Sequence, residues 1–572
     1  VQLGLMPGAG GTQRLPRLIG LELGMKMALE GKPISAEVAL SCGLVDSVVD
    51  QADLLAAARA MARSGIEPVQ PWDNPNAVSR ADPQSPAGRM AFAKAWPRTR
   101  SKLGDAEIAQ DAILMALHHG LQRHIDAGLK IEARHFARVA ASSAAKNIIR
   151  TFQGGNEARK LAVRPASVPR YDISSIAVVG AGLMGGGIAF SAASAGIAVT
   201  LVDKDEERLR AGMDGIERSA DRAIKAGRLD EAGRAKLLAQ ITPTVAGASL
   251  EHVDAVVEAV FELESVKAEV LRQVSAAVRP GVPVASNTST LRISRLAAHC
   301  ARPAEFLGLH FFAPVERMEL VEVIRGAETS DTTLARGLDL VKMLRKLPIV
   351  VGDGPGFFTS RVLCAYTGEA LMLLAEGVDP VVVDNVALDF GMPIGPLAMA
   401  DATGFSILSQ IFASLRSEDA SASRYARAEA ALATLLAANR TGKATGGVYD
   451  YTPAGQQRWS GLSGLFPATD NVTPADIRRR LFHAHALEAV RALEEGVVAS
   501  PIDADLGSQL GWRFPRALGG VLSYIDTIGV ARFVAEASDL EARFGERFKA
   551  PELLTSMATR GGRFHEAWGR AK

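Results

Sequence analysis

ISSIAVVGAGLMGGGIAFSAASAGIAVTLV, residues 173–202, is a run of thirty uncharged residues that stops at Asp203. A run of that length could span a membrane. It could also be a strand, a glycine turn, a helix and a second strand ending in an acid, which is the order of a dinucleotide site. The glycines decide between them. Six fall in the run, four of them between Gly182 and Gly187, and each would cost a helix interior about 1 kcal/mol against alanine. In the second arrangement each one has a task. Ile176 to Val179 reads as a strand buried on both faces. Gly180 permits the tight turn, Gly182 lets the backbone approach a pyrophosphate, and Gly185 lets the next helix pack on the strand. The N-terminus of that helix, from Met184 onward, offers free N–H groups to phosphates. Asp203 then ends the second strand, where a carboxylate accepts from both ribose hydroxyls and repels a 2′-phosphate. The cofactor implied is NAD, with Gly180, Gly182, Met184, Gly185 and Asp203 as contacts.

The rest of the composition narrows the class. The chain has 572 residues and a net charge of +1, enough for several domains and without the basic excess of a nucleic-acid binder. Arg478-Arg479-Arg480 is the densest basic cluster and reads as a solvated helix face. Three scattered cysteines, Cys42, Cys300 and Cys364, give no disulfide framework and suit a reducing compartment. No second stretch suggests a membrane span, so a cytoplasmic location is expected. His118, His119 and His124 lack the i, i+4 spacing of helical metal ligands, as do His483 and His485, so no metal is expected.

Downstream, further strands are expected at 253–260, which contains Glu258, and at 283–286, 306–312, 320–324 and 348–351. Ser289, His310 and Glu322 stand out among them. Oxidising an alcohol with NAD needs a base for the hydroxyl proton. A histidine oriented by a carboxylate serves, and a serine hydroxyl can hold the substrate oxygen. A structural histidine–carboxylate pair accounts for the same residues equally well.

The pieces VVGAGLMGGGIA, VVEAVFE, SNTSTL, GLHFFAPVERMELVEVI and DGPGFFTSR, in this order, resemble the L-3-hydroxyacyl-CoA dehydrogenases of fatty acid β-oxidation. The resemblance makes His310 the catalytic base, Glu322 its partner and Ser289 a contact of the substrate oxygen near the nicotinamide. It adds Glu258 to the cofactor contacts. Two departures stand at Ala313 and Ser360, where the family often has asparagine. Ser360 keeps a hydroxyl that can serve the substrate. Ser265 replaces a lysine of some members, and Lys267 nearby is a candidate for a phosphate.

Toward the C-terminus, Arg361, Glu369, Glu376-Gly377-Val378 and Asp384 recur as Arg480, Glu488, Glu495-Gly496-Val497 and Asp503, at a constant offset of 119 residues. Asp401 corresponds more loosely to Asp526. Two related helical domains follow, as in the multifunctional β-oxidation enzymes. Tyr524 stands where that family contacts substrate, and an interdomain packing role suits it equally.

The first residues, LGLMPGAGGTQRLPRLIG at 3–20 and GKPISA at 31–36, resemble the second half of an enoyl-CoA hydratase (crotonase) domain. Ser35 reads as a helix N-cap and Gly43 as a helix stop. The catalytic glutamates of that family lie upstream of Val1, so hydration is expected only of a longer protein. The partial domain is expected to be poorly ordered, its apolar faces lacking partners. Six prolines between Pro68 and Pro97 mark a connector, and 106–150 reads as helical.

The expected architecture is an α/β Rossmann-type NAD-binding domain followed by two duplicated all-α domains, preceded by a partial crotonase-like domain and linker helices. The boundaries expected are 1–64, 65–172, 173–352, 353–464 and 465–572. The substrate is expected to be an acyl-CoA and the partner a thiolase subunit. The competing readings are a dehydrogenase of small 3-hydroxy acids and a non-catalytic subunit that docks a thiolase.

Overall fold

β1 (Ser175–Val179) lies inside an eight-stranded sheet. The other strands are β2 (Ala198–Asp203), β3 (Ile241–Val245), β4 (Ala255–Glu258), β5 (Val284–Ser286), β6 (Phe306–Phe311), β7 (Leu320–Arg325) and β8 (Leu347–Gly352). Their order is β3-β2-β1-β4-β5-β6-β7-β8, and every neighbouring pair is parallel except β6 and β7. The order in which strands are added to the sheet reverses between β1 and β4, so the crevice beyond their C-terminal ends is where an open α/β sheet receives a ligand. This computed structural model describes residues 1–65, 69–70, 72–74, 81–103, 108–418, 424–453, 455–468 and 471–569.

The expected strands are present, and β3 is additional. Its sequence, ITPTV, is mostly solvent-facing and carries Pro243, which an edge strand tolerates because one side needs no ladder donor. The Glu206–Lys225 helix after β2 is set by its ends. The Asp205 side chain accepts from Arg208 N, acids fill the first turn, and Arg222 and Lys225 lie in the last.

The Thr359–Ala375 helix after β8 is buried on nearly every face and packs against the equally buried Pro474–Glu494 helix. Around these two helices the repeats share one hydrogen-bond plan. Asp384 accepts from Leu397 N, Ala398 N and the Tyr449 hydroxyl. Asp505 accepts from Leu522 N and Ser523 N and bonds the His565 ring. Asp401 receives Val448 N and Tyr449 N, as Asp526 receives Phe564 N and His565 N. The counterpart of Asp384 is therefore Asp505 and not Asp503, which bonds the N-cap Ser500 of its own helix. The strict offset is lost where the second repeat has a longer helix connection.

Residues 1–152 form a separate compact unit, completed by two short segments at 389–391 and 516–518. Met6, Leu21 and Met25 share a core with Phe92, Ile113, Leu117 and Val139, so packing is continuous across the boundary expected at 64 and 65. Glu132, buried, accepts from Gly10 N, Thr12 N and the Thr12 hydroxyl, fixing the start of the Gly11–Ile19 helix. The linker helices thus supply partners for the apolar residues at this end. Ser35 caps the Ala36–Ser41 helix as expected, and Gly43 follows it at φ 76°. Val38 and Leu40 of this helix and Val48, Leu54 and Leu55 after it stay exposed, and the Leu54–Arg63 helix buries no residue. Pro68, Pro71 and Pro75 of the expected connector lie outside the described residues.

Candidate active site

The turn after β1 is shaped by glycines with distinct jobs. Gly180 has φ 106°, and a Cβ there would lie 2.6 Å from Ala259 O. A Cβ on Gly185 would lie 1.7 Å from Gly180 O, so this glycine lets the Leu183–Ser194 helix close onto the strand. Gly182 differs: its φ is −72° and nothing lies within 4 Å of an added Cβ. Neither backbone conformation nor packing within the protein requires glycine at 182. No side chain caps the helix, leaving its first N–H groups free for a phosphate. Asp203 accepts from Ala181 N at 2.7 Å, which holds its carboxylate beside the turn. Gly182, Met184 and Asp203 share the wall of a cavity of about 760 Å³ with Arg208, Arg218, Arg222, Arg228 and Arg317. The site fits NAD: a bare backbone approach, a free helix N-terminus and a carboxylate at ribose distance in sequence.

Two charged residues near the turn are buried against one another. Glu258 is fully buried and accepts from Lys267 Nζ (2.8 Å), Val260 N (2.7 Å) and the Ser286 hydroxyl (2.6 Å). Its carboxylate is enclosed at the C-terminal end of β4, where it supports the turn that follows. Lys267 is equally buried, tied to Glu258 and, at 3.4 Å, to Glu262. Its ammonium is neutralised there and not presented to a phosphate. Glu262, which the sequence reading passed over, accepts from the Thr288 hydroxyl at 2.6 Å and from Ser289 N at 2.8 Å. It thereby fixes the Ser289 turn; its signal was its place as the second acid of VVEAVFE.

His310 and Glu322 stand directly opposite one another in the antiparallel β6–β7 ladder, where facing side chains are close neighbours. Nδ1 of His310 lies 2.7 Å from Glu322 Oε2. An ionised carboxylate can only accept, so it places the imidazole proton on Nδ1 and leaves the Nε2 lone pair free. Glu322, fully buried, is held in turn by Thr359 Oγ1 (2.5 Å), Thr359 N (2.9 Å) and Phe358 N (3.2 Å). These donors are the first residues of the Thr359–Ala375 helix, whose N-terminal dipole also favours a negative charge. Thr359 was legible only as a letter of DGPGFFTSR. The rings of Phe312 and Phe357 flank His310 at 4.5 and 6.1 Å. Asn287 Oδ1 accepts from Phe311 N at 3.0 Å, tying the end of β6 to the segment that carries Ser289.

The remaining candidates separate. Ser360 follows Thr359 in the same first turn, half-buried. Ala313 lines the cofactor-side cavity, whose walls include neither Ser289 nor His310. Tyr524 is buried in an aromatic cluster with Phe482, His483, Phe514 and Phe533, an arrangement that favours its packing role. His483 and His485 are also buried, and desolvation lowers them to about 4 and about 3.

Comparison with known proteins bears on this geometry. Residues 175–354 match the family model of the 3-hydroxyacyl-CoA dehydrogenase NAD-binding domain, and 356–451 match that of the 3-hydroxyacyl-CoA dehydrogenase C-terminal domain. Residues 1–69 match enoyl-CoA hydratase/isomerase. The fatty acid oxidation complex subunit alpha of Shewanella baltica (strain OS185) is 35% identical over 572 residues, covering 99% of this chain and 80% of that protein. The chain belongs to the fatty acid oxidation complex alpha-subunit family. A relative of the same name from Shewanella frigidimarina is 34% identical with the same coverage. Among solved structures, the 3-hydroxybutyryl-CoA dehydrogenase of Escherichia coli K12 is similar with a TM-score of 0.59 and 25% identity, over 68% of this chain and 99% of that one. Among the described residues no helix is long and apolar enough to cross a membrane, so the uncharged run at 173–202 resolves as strand, turn, helix and strand.

Proposed function

We propose that the chain oxidises L-3-hydroxyacyl-CoA to 3-ketoacyl-CoA with NAD, using His310 as the base. The observation that carries this reading is the His310–Glu322 pair on a sheet whose glycine turn is built for a dinucleotide. Bound NAD supplies the acceptor for the hydride that leaves C3. His310 Nε2 takes the 3-hydroxyl proton, and Glu322 stabilises the imidazolium that results. The Ser289 hydroxyl, on a turn fixed by Glu262, holds the substrate oxygen. Gly180, Gly182, Met184, Gly185, Asp203, Glu258 and Ser289 are the proposed cofactor contacts. Leu183 and Phe261, 81% and 70% exposed, offer apolar faces to its rings. The arginines of the neighbouring cavity suit the phosphates of coenzyme A. Ser360 is the proposed polar contact on the helical side.

The relatives are named as subunits of a complex. A thiolase subunit, which would consume the 3-ketoacyl-CoA, is the partner proposed here. Three free cysteines suit a reducing cytoplasm. The test is NADH absorbance on mixing the chain with NAD and 3-hydroxyacyl-CoA. Growth of the signal with the CoA ester, and not with a free 3-hydroxy acid, is expected. A flat trace from folded, NAD-binding protein would overturn the proposal.

A further inference from the structure

The repeated motif of the two helical domains crosses over. Arg361 of the first repeat, buried, bonds Glu488 through Nε (2.5 Å) and Glu495 through both terminal nitrogens, one at 2.8 Å. Arg480 of the second repeat, fully buried, bonds Glu369 through Nε (2.6 Å) and Glu376 through both terminal nitrogens (2.6 and 2.9 Å). Each arginine thus takes the two glutamates of the other copy. Arg480 is accordingly no part of a solvated face, as its place in a three-arginine run had suggested.

The two exchanges are alike in chemistry and unlike in what they hold. Arg361 is in the first turn of the helix whose leading residues, Phe358 and Thr359, grip Glu322. That turn is approached through Gly356 and Phe357 at φ 64° and 51°, and the left-handed region is costly for a phenylalanine. The second repeat fastens the approach as well. Gly352 N donates to Val497 O at 2.8 Å, and a Cβ on Gly354 would lie 2.5 Å from a Val497 methyl. Arg480 leads nowhere comparable: the Pro474–Glu494 helix is capped by its own Thr473, which accepts from Asp476 N.

We infer that Arg361, clamped by Glu488 and Glu495, is a positioning residue for the reaction: the second helical repeat sets the Thr359 turn, and through it the orientation of Glu322 and His310. The inference rests on His310 being the base. It assigns the second copy a part in catalysis although, among the described residues, the hydrogen bonds to His310 and Glu322 come from elsewhere.

Matched variants test it. Glu495→Gln and Glu376→Gln each remove one charge from the corresponding bidentate pair in opposite copies, Glu495 being the more exposed of the two. In the full chain, the pH dependence of kcat/KM for NADH formation is recorded beside thermal unfolding. Glu495→Gln, at the more exposed glutamate, should lose no more thermal stability than Glu376→Gln. Glu495→Gln should also lower kcat/KM about tenfold, the scale of a group that orients a catalytic residue, and move the acidic limb of the profile to lower pH as Glu322 supports the imidazolium less. Glu376→Gln should keep both rate and limb. Equal effects of the two variants on the rate, or an unmoved limb in Glu495→Gln, would overturn the inference. His310→Gln in the same series separates the two claims. Wild-type activity there would overturn the dyad itself, whereas an inactive His310→Gln with matched glutamate variants would overturn only the role of Arg361.

Discussion

The turn at Gly180 to Gly185 offers a ligand almost nothing but backbone, whereas the cluster at His310 and Glu322 is made of side chains that hold one another. In the first, residues are defined by what they lack: a Cβ at 185 would run into Gly180 O, and one at 182 would meet only open space. In the second, each group is defined by a partner on another element: His310 by β7, Glu322 by the Thr359 helix, and that helix by the second repeat. Local geometry builds the cofactor side, and long-range pairing builds the proton-transfer side.

Breaking the long-range side should have the larger effect on stability. Burial pushes the Glu488 carboxyl up, but Arg361, Arg424 and Arg491 outweigh it and hold it down, from 4.5 to about 2. A depressed folded value gives stability that is complete above pH 4.5 and is lost as pH falls through about 2. Glu488→Gln should therefore unfold about 3–5 kcal/mol more easily at neutral pH, as expected when one partner leaves a buried cluster. The gap should close in that acid window. Chemical denaturation at stepped pH checks this, and a gap independent of pH would contradict it.

The local side sharpens the comparison through two glycines three residues apart. Gly185→Ala should destabilise by about 3 kcal/mol, the upper range for overpacking a filled site, because the methyl meets Gly180 O. Gly182→Ala should leave the melting temperature unchanged and weaken NAD about tenfold, about 1.4 kcal/mol, because only a ligand would meet the methyl. Calorimetric melting beside an NAD titration distinguishes the two. Equal melting losses would remove the distinction drawn between them.

The same contrast explains what the sequence could show. The glycine turn, its strands and Asp203 lie within thirty-one consecutive residues, so their spacing is a direct record of their geometry. His310 and Glu322 were legible as polar residues in apolar strands, and the antiparallel register of β6 and β7 brings them face to face. Glu262 and Thr359 were not, since their tasks are hydrogen bonds across 27 and 37 residues. The pairing of Glu258 with Lys267 was not legible either, because the sequence shows an acid at a strand end but not that a lysine nine residues on closes over it. The repeat was visible, its crossing was not: Arg480 in a basic run looks solvated until the other copy's glutamates are placed beside it.

The central claim is that His310, oriented by Glu322, removes the hydroxyl proton. Its most direct test is NADH formation by His310→Gln with saturating NAD and L-3-hydroxyacyl-CoA. The account predicts a rate lower by about a hundredfold to ten-thousandfold, the range for losing a general base, with NAD affinity unchanged. A rate equal to wild type would contradict it.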